Sequence, residues 1–266
     1  MKLYEICFSP TGGTECVTGI LAEALEIEFL KKKVSDCIAR KRINLLEKDF
    51  GFHEFLKDDF CIISVPSYGG RVPYPAVKRL SKLEGNGAKA ILVCVYGNRA
   101  FEDTLVELQD VLEHQGFVCT SAVAAIAEHS IFRQFASARP DHEDAEELRK
   151  FASQIASHVK KTFDSGECFA LSLPGNHPYR TFDGVPLKPY AGKNCKDCGI
   201  CALDCPTGAI SKDNPKDCNK ELCISCMRCV RVCPEGARKV NTFMLKIAGK
   251  KMKKVCSERK ENQLFL

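Results

Sequence analysis

One cysteine pattern occurs twice in this chain. Cys195-x2-Cys198-x2-Cys201-x3-Cys205-Pro206 returns 28 residues later as Cys223-x2-Cys226-x2-Cys229-x3-Cys233-Pro234. Cysteine is also abundant, at 17 of 266 residues. That count is odd, and the opening MKLYEICFSP has neither a long apolar core nor a small-residue cleavage site. A disulfide framework is therefore not expected, and metal or cluster ligation is. Paired CxxC steps also suit a zinc ribbon. The doubled four-cysteine pattern with its internal symmetry is far more specific, and it favours iron–sulfur clusters.

The pattern resembles that of bacterial-type two-cluster ferredoxins over roughly residues 190–240. The resemblance implies two [4Fe–4S] clusters with crossed ligation. Three close thiolates wrap one cubane, and the fourth cysteine, before proline, turns away to the other. Cys195, Cys198, Cys201 and Cys233 are then expected to hold one cluster. Cys223, Cys226, Cys229 and Cys205 are expected to hold the second. Cys168, Cys218 and Cys256 stand outside these sets and read as bystander thiols.

Charge follows the same division. Residues 186–266 hold 17 Lys and Arg against 8 Asp and Glu, whereas residues 1–185 hold 22 against 26. A basic half often signals nucleic acid or an acidic partner. Oxidised cubanes with four thiolates each carry about −2, so part of the surplus is internal compensation. Nucleic-acid binding is accordingly not expected, and no recognised module interleaves the lysines with aromatics.

The first 165 residues alternate strand and helix patterns. Apolar runs at 2–8, 60–65, 90–95 and 117–126 read as strands, with a further one near 40–46. Helical spacing follows at Val17, Ile20, Leu21 and Ala24, at Pro75, Val77, Leu80 and Leu83, at 101–115, and from Pro140-Asp141 through Val159. This predicts an α/β fold, a doubly wound parallel five-stranded sheet with helices on both faces. Cys61 and Cys94 fall inside strands as small core residues, and Cys7 and Cys16 are expected as buried filler.

The first strand runs into Ser9-Pro10-Thr11-Gly12-Gly13-Thr14 and then a helix. Glycines let several N–H groups face one point, the helix end adds partial positive charge, and the hydroxyls add donors. Such a turn holds a phosphate monoester. It lacks both the GK[ST] ending of a nucleotide-hydrolysing loop and the GxGxxG dinucleotide pattern.

This stretch resembles the flavodoxin family, whose first loop is a Ser/Thr-x-Thr-Gly-x-Thr turn on the phosphate of FMN. Ser9, Thr11, Gly12 and Thr14 match it, and Gly13 takes the variable place. The resemblance implies FMN, with ring-clasping loops at Pro66-Ser67-Tyr68-Gly69-Gly70-Arg71 and Tyr96-Gly97-Asn98-Arg99. Tyr68 or Tyr96 is a candidate to stack on the ring, and Arg71 or Arg99 to stabilise a reduced, anionic flavin. His129, after the last strand, is the histidine nearest these loops.

Residues 166–190 are dense in proline and glycine and read as a linker or surface strap. Residues 191–240 form the cysteine-rich unit. The tail, 241–266, reads as a basic amphipathic helix, packed on its own protein in preference to docking an acidic redox partner or, least favoured, a membrane surface.

The parts together resemble fusions of a flavodoxin-like domain with a two-cluster ferredoxin. An intramolecular electron-transfer protein serving an external redox-partner protein is expected, in the cytoplasm. Two alternatives are an FMN-dependent reductase of a small molecule fed by the clusters and a ferredoxin tethered to a flavin-free docking domain. No acid–base, nucleophile or NAD(P) constellation is present.

Overall fold

The computed structural model describes residues 1–167 and 169–266, so Cys168 lies outside the described residues. Six strands form the main sheet: β1 (Lys2–Cys7), β2 (Ala39–Asn44), β3 (Phe60–Pro66), β4 (Lys89–Tyr96), β5 (Val118–Ile126) and β6 (Gln263–Phe265). Their order is β6-β5-β4-β3-β1-β2. The first five are mutually parallel, and β6 pairs antiparallel with β5. The parallel part therefore has the order 2-1-3-4-5, the flavodoxin-like doubly wound order. The sixth strand adds to the five expected, and it comes from the tail, where only a helix was expected.

Both faces of the sheet are covered, which is why its central strands read as continuous apolar runs. Helices α1 (Gly13–Lys31) and α4 (His142–Ser165) cover one face, over Leu3, Ile62, Ile91, Val93 and Val123. Helices α2 (Tyr74–Leu80) and α3 (Thr104–His114) cover the other, over Ile6, Ile63, Leu92 and Cys94. Successive residues of one strand feed opposite layers, as a period of two requires. Helix α4 opens on a capping box, Asp141 accepting from the Asp144 amide while Asp144 accepts from the Asp141 amide. Gly116, with φ of 78°, ends α3. Cys61 and Cys94 are core residues, but Cys16 is exposed rather than buried, because it sits on the outer face of α1.

Residues 169–189 run over α3 without regular structure. Asp103 accepts from the Asn176 and Arg180 amides, and Asp110 accepts from the Tyr179 hydroxyl and meets His177. The cysteine-rich segment follows, with the one-turn helices α5 (Ile200–Leu203) and α6 (Arg228–Arg231). Then α7 (Thr242–Cys256) returns toward the sheet and β6 joins it. Among the described residues no helix is long and apolar enough to cross a membrane.

Candidate cofactor sites

The turn after β1 is built around two glycines. Gly12 has φ of +99°, a backbone that side chains rarely adopt. A Cβ on Gly13 would stand 2.9 Å from Ala127 Cβ, so the place is closed to larger residues. Ser9 Oγ accepts the Glu15 amide at 2.9 Å and so caps the start of α1. The hydroxyls of Thr11 and Thr14 meet no protein partner among the described residues, and both residues line a cavity of about 300 Å³.

That cavity sits at the C-terminal ends of the parallel strands, where open α/β sheets take ligands. Pro66, at the end of β3, and Ser67, Tyr68 and Gly69 after it line the cavity, as do Tyr96, at the end of β4, and Gly97 and Arg99 after it. Five other named residues, Ser9, Gly12, Gly70, Arg71 and Asn98, lie outside its lining. Ser9 and Gly12 shape the turn behind it. Gly70 packs against Glu102 and Arg180. The Asn98 amide is committed to the tail, donating to the Cys256 and Glu258 carbonyls at 2.8 and 2.7 Å.

Charge near the cavity is arranged by pairing. Arg71 binds Glu107 through both Nε and Nη2 at 2.8 Å and lines a neighbouring cleft instead. Arg99 reaches Glu102 with two hydrogen bonds, and burial lowers its affinity for its proton. Burial also pushes the Tyr68 phenol well above its usual range, and the nearby Cys226 adds to this. His129 lines the cavity, and its Nδ1 accepts the Ile131 and Phe132 amides at 3.2 and 3.3 Å. Nε2 therefore carries the proton of the neutral ring. Burial, with Arg99 beside it, brings His129 down to about 4, so it is neutral at pH 7.

Much of the remaining wall comes from distant segments. Phe182 of the strap lies on Gly69 so closely that a Cβ there would strike its ring. Arg180, Val185 and, from α7, Met252 close further sides. Ile224 and Ser225 also line it, and both belong to the first CxxC step of the second motif. No periodicity or motif marks Phe182 or Met252 for this position.

The cysteine segment repeats in its backbone as well as its sequence. Left-handed residues occur at Asp197 and Ser225, at Gly199 and Met227, and at Gly208 and Gly236. Each pair is separated by the 28 residues of the motif repeat. Left-handed residues within a CxxC loop turn successive N–H groups toward one concavity, which suits an anionic centre. Cys226 and Cys229 each lie within the field of Cys223 and Cys205. Cys229 also feels Cys201, of the first set. Burial pushes the Cys226 and Cys229 thiols up to about 12. Such thiols stay protonated unless a metal centre takes them as thiolates.

The Cys218 thiol reaches the Asn219 carbonyl at 3.9 Å, and as a neighbour of Cys223 it lowers the affinity of that thiol for its proton. The first set is more open: Cys198 is exposed, and Cys195 and Cys233 are half-buried. Cys233 Sγ accepts the Ala237 amide at 3.2 Å. Among the described residues no three His, Cys, Asp or Glu side chains converge as ligands of a single metal ion.

The segment is fastened to the α/β half by side chains reaching backbone. Lys48 donates to the Ala202 carbonyl at 2.6 Å, and Arg79 donates to Pro206 at 2.8 Å. Arg228 pairs with Asp204 at 2.7 Å and reaches the Pro10 carbonyl of the phosphate turn. Lys188 of the strap donates to the Cys223 carbonyl.

Residues 219–239 match the 4Fe-4S binding domain family. The chain joins a flavodoxin-like α/β fold to a ferredoxin-type module. A 100-residue stretch is 42% identical to the trichloroethene reductive dehalogenase of Dehalococcoides mccartyi, covering 31% of this chain and 17% of that protein. The chain thus spans under a fifth of the length of the curated relative it matches. Among solved structures, a Streptococcus pneumoniae flavodoxin is 19% identical, with 59% of this chain and 97% of that chain covered at a TM-score of 0.37. An oxidoreductase of Corynebacterium diphtheriae is 12% identical, with 62% and 97% covered at 0.44. An azoreductase of Bacillus anthracis is 11% identical, with 60% and 99% covered at 0.39. The fold reading itself stands on the strand order and the position of the cavity.

Proposed function

We propose that this chain is an electron-transfer iron–sulfur flavoprotein. It passes electrons between two [4Fe–4S] clusters and FMN, and interconverts one- and two-electron steps for an external redox-partner protein. One observation carries the reading. The cavity bounded by the phosphate turn and by Tyr68 and Tyr96 is also bounded by Ile224 and Ser225 of a cluster-binding loop. FMN takes one or two electrons where a cubane takes one, so a shared wall joins the two kinds of carrier.

The residues of the chain fit that role. The free hydroxyls of Thr11 and Thr14, with the amides at the start of α1, offer donors to a terminal phosphate. Neutral His129 offers an N–H without adding charge, and Arg99 offers a cation beside it. Phe182 and Met252 exclude water from the cavity. Cys205, Cys223, Cys226 and Cys229 bind the cluster nearest the cavity. Cys195, Cys198, Cys201 and Cys233 bind the more exposed one, on the side open to a partner.

Iron and acid-released flavin, measured together after strictly anaerobic purification, test this. The expected result is about eight irons and one FMN per chain. Eight irons without flavin, even after incubation with FMN, would leave only a ferredoxin tethered to a docking domain. Steady turnover of a small organic acceptor would favour the reductase reading instead.

A further inference from the structure

Helix α7 bounds two cavities. Met252 faces the one described above, while Leu245, Lys246, Gly249, Lys250, Lys253 and Cys256 line a larger groove of about 890 Å³. Its opposite wall is the loop from Gln134 to Asp141, and Asn98 lies at its floor. The helix lies close against that loop at Gly249, where a Cβ would stand 3.3 Å from Gln134 Nε2. A mid-helix glycine is otherwise unfavourable.

The groove is rich in donors that have no partner among the described residues. Lys246, Lys250 and Lys253 follow i, i+4, i+7 spacing and so share one helix face. None of their ammonium groups has a carboxylate or hydrogen-bond partner among the described residues. Helix α7 holds no acidic residue. The acidic residue at the groove, Asp141, is already bound to Arg259 at 2.7 Å, and Arg139 is paired with Asp144. On the facing loop, Ala136 and Ala138 are left-handed, with φ of 49° and 62°. Among the described residues the amides of residues 136–138 and the Ser137 hydroxyl have no acceptor. Phe135 and Leu245 give the groove an apolar wall.

We propose that this groove binds a small polyanion of the nucleoside diphosphate class. Lys246 and Lys253 stand about 10 Å apart along the helix at 1.5 Å per residue. That span exceeds a single phosphate and suits charge spread along a chain of phosphates. The loop amides face the same anion from the other side, and the apolar wall receives a flat base. A groove closed on two sides favours a small ligand over a flat protein surface. The assignment does not depend on the flavin reading.

Calorimetric titration of the full chain with ADP, inorganic phosphate and adenosine tests it. ADP is expected to bind once per chain, more tightly than phosphate or adenosine. The pair Lys250→Gln with Lys253→Gln is expected to weaken ADP at least about tenfold, the effect of losing charge-assisted hydrogen bonds. Ser137→Trp, an exposed position that would fill the groove from its other wall, is expected to do the same. The pair Lys251→Gln with Lys254→Gln, outside the groove, and Thr14→Val, in the phosphate turn, are expected to leave ADP binding intact. Equal losses in both lysine pairs would show diffuse attraction and overturn the proposal. So would a loss confined to Thr14→Val, which would place ADP in the phosphate turn. Absence of ADP binding together with Ser137→Trp-insensitive binding to phosphatidylserine vesicles would overturn it too, and give the lysines to a membrane surface.

Discussion

The α/β half and the cysteine-rich segment hold their shapes by different means. The sheet buries two continuous apolar layers that include Phe8, Phe29, Phe60, Ile62 and Leu92. Around the cysteines the buried cluster is Cys201, Ala202, Cys205, Ala209 and Ile210, two alanines and one isoleucine beside two expected ligands. Burial of a large aliphatic side chain contributes about 1.5–3 kcal/mol, and the segment has few to bury. One half is therefore stabilised by its side chains, and the other depends on what its thiolates bind, since ligand binding by a site that is absent from the unfolded chain is folding free energy. The contrast also shows where information is local. A two-layer core tolerates changes one residue at a time, whereas a segment ordered by ligands fails as a unit.

The largest expected effect follows directly. Cys226→Ser should lower iron from about eight to about four per chain. Limited proteolysis should then cut within residues 191–240 while leaving the sheet intact. Equal protection of both regions in the variant would erase the difference drawn here. Leu92→Ala should act in the opposite region. It removes a fully buried side chain between β4 and its helices, so urea unfolding of the α/β half should shift by about 2–5 kcal/mol, with iron content unchanged. Thr14→Val should weaken FMN about tenfold, the loss of one hydrogen bond to a charged group, without altering either iron or thermal stability.

The smallest expected effect is electrostatic. Arg259 and the Asp144 amide hold the Asp141 carboxyl well below the usual carboxylate range. A depressed value in the folded state stabilises the protein above the ordinary carboxylate value, and the benefit is lost as pH falls below about 4. Asp141→Ala should cost about 1 kcal/mol at pH 7, through loss of the capping box. Urea midpoints of wild type and variant should converge below about pH 4. The tail supplies Arg259, so a constant gap across pH would show that the tail adds nothing to α4.

The sequence shows some of this plainly and hides the rest for physical reasons. The central strands are legible because both faces are buried and the runs are wholly apolar. Strand β2 is obscured because it is an edge strand, ARKRIN, whose side chains are mostly exposed. Strand β6 has three residues, too few for any period, and its place is set by pairing with β5. The phosphate turn and cysteine repeats are contiguous in the chain, so their chemistry shows in spacing. Phe182, Met252 and Ile224 meet the same cavity from segments far apart, and long-range packing leaves no local trace of that. Asn98 misleads because its loop resembles a ring-clasping one while its amide holds the tail.

The return of the tail to the sheet has a mechanical consequence. The cysteine segment leaves the α/β half through the strap and re-enters it through α7 and β6, so it is anchored at both ends rather than hung on a flexible leash. A pendant on one tether samples a sphere, whereas a span fixed at two points can only rock about the line joining them. Its encounter with the cavity then has a high effective concentration that dilution does not change. One cut in the strap would leave the pieces bound through the antiparallel pairing of β6 with β5. The junction between the two halves is thus held from both sides, which keeps Ile224 and Ser225 at the cavity that Tyr68 lines.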